Sequence, residues 1–117
     1  MIREFIYLQN FDRIWNQLGF SDDDLVELEN MILKQPDKGE LIQETGGLRK
    51  IRTSMDNKGK SGGIHVLYVD FEFYERTYFL FAYLKSEMET ITPKQKQMFR
   101  KLIADLLNEI KQKRVKR

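Results

Sequence analysis

Cysteine is absent from the 117 residues, and histidine occurs once, at His65. The first absence excludes a disulfide framework, a thiolate nucleophile and every thiolate-held zinc or iron–sulfur centre, and the second excludes a metal site built from several imidazoles. No apolar run approaches the length of a membrane span. The N-terminal Met-Ile-Arg-Glu-Phe lacks the basic start and long apolar stretch of a secretory leader, so a soluble, cytoplasmic protein with no membrane partner is expected. Internal repeats, low-complexity tracts and interdomain linkers are also lacking. What is present is a 41% hydrophobic, 12% aromatic chain, rich enough in apolar material to argue against disorder. Its length suits one hydrophobic core, so residues 1–117 are expected to form a single domain.

Proline occurs only at positions 36 and 93, and both mark helix boundaries. Ile2 to Leu8 mixes β-branched and aromatic residues and predicts a strand. Asn10 is the expected cap of a short helix reaching Leu18, with Phe11, Ile14, Trp15 and Leu18 on one face. Ser21 followed by Asp22, Asp23 and Asp24 predicts a second helix with a buried stripe of Leu25, Leu28, Met31 and Ile32, ending near Gln35 because Pro36 disfavours helix in the residue before it. Helix capping accounts for the three aspartates without a cation site. From Leu41 to Lys85 the period becomes two, giving strands over Leu41–Glu44, Leu48–Thr53, Ile64–Phe71 and Thr77–Lys85 in a mostly antiparallel meander, with Glu72–Arg76 as a hairpin connection. Simple alternation along the last strand sends Phe79, Phe81 and Tyr83 to one side and Leu80, Ala82 and Leu84 to the other. Thr92-Pro93-Lys94-Gln95 is a capping box that opens a final helix, whose apolar face of Phe99, Leu102, Ile103, Leu106, Leu107 and Ile110 should lie on the sheet. The fold class is therefore α+β: a twisted, mostly antiparallel sheet with two N-terminal helices and one C-terminal helix.

Net charge is only +2, yet the charges are segregated. Residues 1–44 hold four Lys/Arg against ten Asp/Glu, and residues 45–117 hold sixteen against eight. A phosphate-rich partner would be drawn to the second part. Five of the seven glycines fall between Gly46 and Gly63, among Arg49, Lys50, Arg52, Lys58 and Lys60. Glycines allow a ligand close to the main chain, and these side chains supply cations for phosphate oxygens. Gly59-Lys60-Ser61 is not a nucleotide-hydrolase loop, because the upstream glycine is missing and a strand follows it. For Lys58 and Lys60 the alternative is an ordinary hairpin tip. Lys50 and Arg52 share a strand face, where paired cations repel unless an anion or carboxylate is near. The basic run Lys111, Lys113, Arg114, Lys116 and Arg117 either touches RNA or complements the negative end of the last helix dipole. Core packing accounts for most of the aromatic run between Phe71 and Tyr83, with Tyr83 alone kept as a site candidate.

Several of these segments are similar to one family. Trp15, the Pro36-Asp-Lys-Gly turn, Ile42-Gln-Glu-Thr-Gly-Gly-Leu-Arg-Lys-Ile-Arg, Gly59-Lys-Ser-Gly-Gly-Ile-His-Val-Leu-Tyr, Tyr83-Leu-Lys-Ser-Glu and the Thr-Pro ahead of the last helix together resemble the RelE superfamily, and within it the HigB-type toxins of bacterial type II toxin–antitoxin modules. The resemblance implies a metal- and cofactor-independent endoribonuclease that cuts messenger RNA on the ribosome and is neutralised by a cognate, HigA-like antitoxin. By analogy Arg49, Lys50, Arg52 and Lys60 hold the phosphate and offset charge in the transition state, with Lys58 nearby on the RNA. Tyr68 and Tyr83 contact an extruded nucleotide, and Lys85 with Glu87 assists proton transfer. Such toxins commonly carry a catalytic arginine after the double glycine, where this chain has His65. Either His65 takes over as acid or base, which a reference pKa of about 6.5 permits, or the enzyme is weak or inactive, with His65 simply packed beside Leu67 and Val69 on an apolar face. The resemblance also admits a non-enzymatic inhibitor on the same fold, of the topoisomerase-poisoning kind, and an inactive remnant that acts only in antitoxin complexes.

Overall fold

The computed structural model describes residues 2–53, 63–87 and 90–115. Strand β1 (Glu4–Tyr7) leads into helices α1 (Gln9–Gln17) and α2 (Asp22–Lys34). Strands β2 (Glu40–Leu41), β3 (Arg49–Thr53), β4 (Ile64–Phe71) and β5 (Arg76–Leu84) follow, and α3 (Pro93–Val115) closes the chain. The five strands form one sheet in the order β1-β5-β4-β3-β2. All neighbours are antiparallel except β1, which runs parallel to β5 at one edge. The α+β class is as expected.

Strand β4 is buried on both faces, so each of its alternating side chains must enter one of two cores. Ile64, Val66 and Tyr68 join Phe11, Trp15, Leu28 and Ile32 of the N-terminal helices. Leu67 and Val69 join Phe99, Ile103, Leu106 and Ile110 of α3. The helices thus cover opposite faces of the sheet, and the predicted stripes face the two cores, with Ile14, Leu18, Leu25, Met31 and Leu102 only partly buried at their margins and Leu107 in neither core cluster.

The helix ends show which local signals act. Ser21 and Asp24 make a reciprocal box: the Asp24 N–H donates to Ser21 Oγ at 3.3 Å, and the Ser21 N–H donates to Asp24 Oδ2 at 2.9 Å. Thr92 and Gln95 repeat this arrangement at the start of α3. Asn10 does not cap α1. The chain passes from β1 straight into the helix, with Leu8 at the cap position and Asn10 inside the first turn, accepting from Arg13 at 3.3 Å.

Two further expectations are corrected. The strand read over Leu41–Glu44 is confined to Glu40–Leu41, because Thr45 closes a tight turn just beyond it. Its buried hydroxyl donates to the Ile42 carbonyl at 2.6 Å and accepts the Leu48 N–H at 3.0 Å. Gly46 and Gly47 supply the positive φ values of 77° and 122° that this turn demands. They face α3 and Val69, and the turn conformation by itself accounts for both glycines.

Alternation also fails within β5. The register with β4 slips between Leu67 and Tyr68, which pair with Phe81 and Phe79 and leave Leu80 as the extra residue. A bulge places two consecutive side chains on one side and reverses the phase beyond it. Phe79, Ala82 and Leu84 therefore share the α1–α2 face, while Leu80, Phe81 and Tyr83 share the α3 face. Phe79 becomes the centre of an aromatic stack, with Phe5, Tyr7 and Phe11 at ring distances of 5.8, 5.1 and 5.4 Å.

The turn between α2 and β2 is pinned from below by Tyr68. Its hydroxyl accepts the Gly39 N–H at 2.9 Å and donates to the Pro36 carbonyl at 2.9 Å. A Cβ at Gly39 would lie 2.7 Å from that oxygen, so glycine is required by close approach. Tyr68→Phe strands a buried N–H and carbonyl and should cost about 1–3 kcal/mol in urea denaturation. Gly39→Ala should destabilise the same corner by overpacking, with a lowered urea midpoint.

Candidate functional site

The register of β3, β4 and β5 sorts the candidate residues by face. Arg52 pairs with His65, and His65 pairs with Tyr83, so these three form one cross-strand row on the α3 side. Lys50, two residues before Arg52, lies in the next row opposite Leu67. Lys85 and Glu87 follow in the exposed turn after β5, which is tied to the sheet where the Lys85 N–H donates to the Gly63 carbonyl at 3.3 Å.

His65 and Tyr83 are 8% and 5% exposed, and their rings stack with centroids 5.2 Å apart and planes 14° apart. Neither imidazole nitrogen, nor the Tyr83 hydroxyl, has a hydrogen-bond partner among the described residues. Buried polar atoms are nearly always satisfied, so a cluster of orphaned ones calls for an explanation, of which a polar ligand is one. Three such atoms lie together here. Burial disfavours the imidazolium, and Lys50, Arg52 and Lys85 push the His65 pKa further below its usual value, with Glu40 opposing them. Burial likewise raises the Tyr83 pKa. At neutral pH the row therefore offers a neutral imidazole, a protonated phenol and nearby fixed cations. Among the described residues no group of His, Asp and Glu side chains is placed to hold a metal ion. This donor set suits an anion.

Two members of the expected set belong elsewhere. Arg49 pairs with Tyr68, and its guanidinium donates to the carbonyls of Gly39 at 2.7 Å and Asp37 at 3.4 Å. It clasps the α2–β2 turn on the opposite side of the strand from Lys50 and Arg52. Tyr68 is fully buried in that clasp and cannot stack on a nucleotide. Strand alternation accounts for both corrections, since a residue pairing with Tyr68 shares the α1–α2 face. Lys58 and Lys60 lie outside the described residues. Lys111 and Lys113 are exposed at the end of α3, with Lys113 at 3.9 Å from Glu109.

Glu40 was not among the candidates, although it pairs across β2–β3 with Lys50 and its charge reaches His65. The repulsion of Lys50 and Arg52 on one face was the available signal for a neighbouring carboxylate. Which acid answered it depended on strand pairing.

Taken together, a five-stranded sheet with two N-terminal helices on one face, α3 on the other, and Arg52, His65 and Tyr83 in one row on the α3 face defines a small α+β protein of toxin-like architecture. The family model for the RelE toxin of the RelE/RelB toxin–antitoxin system matches residues 5–117. The chain belongs to that family. It is thus the toxin of a toxin–antitoxin module, and an antitoxin is its implied partner.

The depressed His65 pKa has a defined effect on stability. The unfolded chain takes up a proton near the usual histidine pKa, whereas the folded chain resists it. The stabilisation is complete above that range and is lost as pH falls through and below it. Stability of the native chain should therefore drop between about pH 7.5 and 5.5, and His65→Phe, which keeps an aromatic ring on Tyr83, should flatten this drop. Urea denaturation across that pH window checks the expectation, and parallel curves for the two proteins would refute it.

Proposed function

We propose that this chain is a HigB-type, metal-independent endoribonuclease that cuts messenger RNA on the ribosome, with the Arg52–His65–Tyr83 row as its reaction centre. The observation that carries this reading is the stacked His65–Tyr83 pair, whose buried polar atoms lack partners among the described residues while the charges of Lys50, Arg52 and Lys85 act on the imidazole. A neutral imidazole can accept the proton of a ribose 2′-OH. The 2′-oxygen then bonds to the adjacent phosphorus, and the bond from phosphorus to the 5′-oxygen breaks. Arg52 and Lys50 offset the charge that builds on the phosphorane, and the protonated Tyr83 hydroxyl donates a hydrogen bond to it. Lys85, with Glu87 beside it in the same turn, is assigned to returning a proton to the departing 5′-oxygen. The products are a 2′,3′-cyclic phosphate and a 5′-hydroxyl end. Arg49 keeps a positioning role, holding the turn that carries β2 into the sheet.

One observation favours a non-enzymatic toxin on this fold: His65 is only 8% exposed, which also suits a packed residue. Purified protein incubated with programmed, translating ribosomes separates the readings. Cleaved message ends are expected. Arg52→Ala should slow cleavage by about 10²–10³-fold, and His65→Ala by about 10²–10⁴-fold. Because the His65 pKa is depressed, the rate should hold into mildly acidic pH and fall only below the ordinary histidine range. Arg49→Ala should act through lowered thermal stability. Intact message with the native protein would overturn the nuclease reading, and inhibited supercoiling in its place would support the non-enzymatic one.

A further inference from the structure

A groove of about 250 Å³ opens beside the His65 row, between the β2–β3 edge and the start of α3. Its walls include Glu40, Ile42, Gln43, Lys50, Ile91 and Lys96. Lys50 and Glu40 belong to both places, since they line the groove and their charges act on His65. The groove is thus continuous in charge with the reaction centre. Lys96 comes from a different element. The capping box of Thr92 and Gln95 sets the first turn of α3, and the Lys96 N–H donates to the Thr92 carbonyl at 2.9 Å, so its backbone is held rigidly at the rim.

We propose that this groove binds a single nucleotide, and that Lys96 holds its phosphate. The role of that nucleotide as the neighbour of the scissile link rests on the nuclease reading above; the binding itself does not. An ammonium at the rim meets a phosphate as a point charge. The half-buried Ile42 offers apolar surface to a base face, with the largely buried Ile91 closing the floor beneath it, and Gln43 has both a donor and an acceptor for a base edge. Glu40 only accepts. A carboxylate takes two hydrogen bonds from the N1–H and N2–H groups of guanine, whereas uracil has one N–H donor between two carbonyls that repel it. The groove therefore selects guanine over uracil, through a residue that lies next to the catalytic row without taking part in the chemistry.

The test is a titration of the full chain, labelled at isoleucine methyls, with guanosine 5′-monophosphate, uridine 5′-monophosphate and inorganic phosphate, followed by NMR. Saturable shifts at Ile42 and Ile91 are expected with the guanosine nucleotide, and binding of the uridine nucleotide should be about fivefold weaker. Lys96→Ala, a good helix former at a half-buried position in the first turn of α3, should weaken both nucleotides by about fivefold. Glu40→Gln should erase the difference between the two bases. Absence of saturable shifts at Ile42 and Ile91, or equal shifts with inorganic phosphate alone, would overturn the nucleotide site. Equal binding of the two nucleotides to the native chain would overturn the assignment of Glu40. No ribosome or cleavage enters the measurement, so a chain that fails to cut message can still pass it, and one that cuts message can still fail.

Discussion

Strand β4 has no solvent face along most of its length, and this constraint organises the molecule. Its side chains alternate between two cores, so its register with β3 and β5 decides the face of every residue around it. A slip of one residue would exchange the faces: Ile64, Val66 and Tyr68 would meet α3, and His65 would be driven among Phe11, Trp15 and Leu28. The apolar cost of such an exchange holds His65 between Arg52 and Tyr83. The His65–Tyr83 pair is thus placed by strand pairing and hydrophobic packing, and among the described residues neither the imidazole nitrogens nor the Tyr83 hydroxyl has a hydrogen bond to fix it.

Around that strand the polar side chains divide by face. On the α1–α2 face, Arg49 and Tyr68 direct their polar groups to the main chain of the α2–β2 turn. On the α3 face, the charges of Lys50, Arg52 and Lys85 act on an imidazole whose nitrogens have no hydrogen-bond partner among the described residues. Neighbours in sequence, Arg49 and Lys50 serve opposite ends: one ties the fold together, and the other faces the open groove with Glu40 and Lys96. The bulge at Leu80 completes the division. It brings Tyr83 to the α3 face beside His65, and it sends Phe79 to the aromatic stack that anchors α1.

Much of the architecture could be read from local pattern. Both capping boxes, the buried stripes of the helices, and the β4 and hairpin segments follow from signals contained within a few residues, where spacing and hydrogen-bonding chemistry suffice. The RelE-like character was legible for a related reason, because its motifs are short blocks in a fixed order, and the family match over residues 5–117 bears it out. Where local signals competed, reading by pattern failed. Asn10 looked like a cap, but the chain enters α1 directly from a strand. The Thr45 turn, which shortens β2, needed its hydroxyl to bridge two main-chain groups that no periodicity reveals.

By itself the sequence determined the α+β class, the helices and their faces, the concentration of cations after Thr45, and kinship with the RelE toxins. Each of these depends on residue type and short-range spacing alone. Only tertiary structure decided that Arg49 and Tyr68 turn inward, that Tyr83 lies with His65, and that Glu40 and Lys96 border the same groove as Lys50. Those facts depend on which strands pair, in what register and around which bulge, and such long-range choices are made by the cores on the two faces of the sheet.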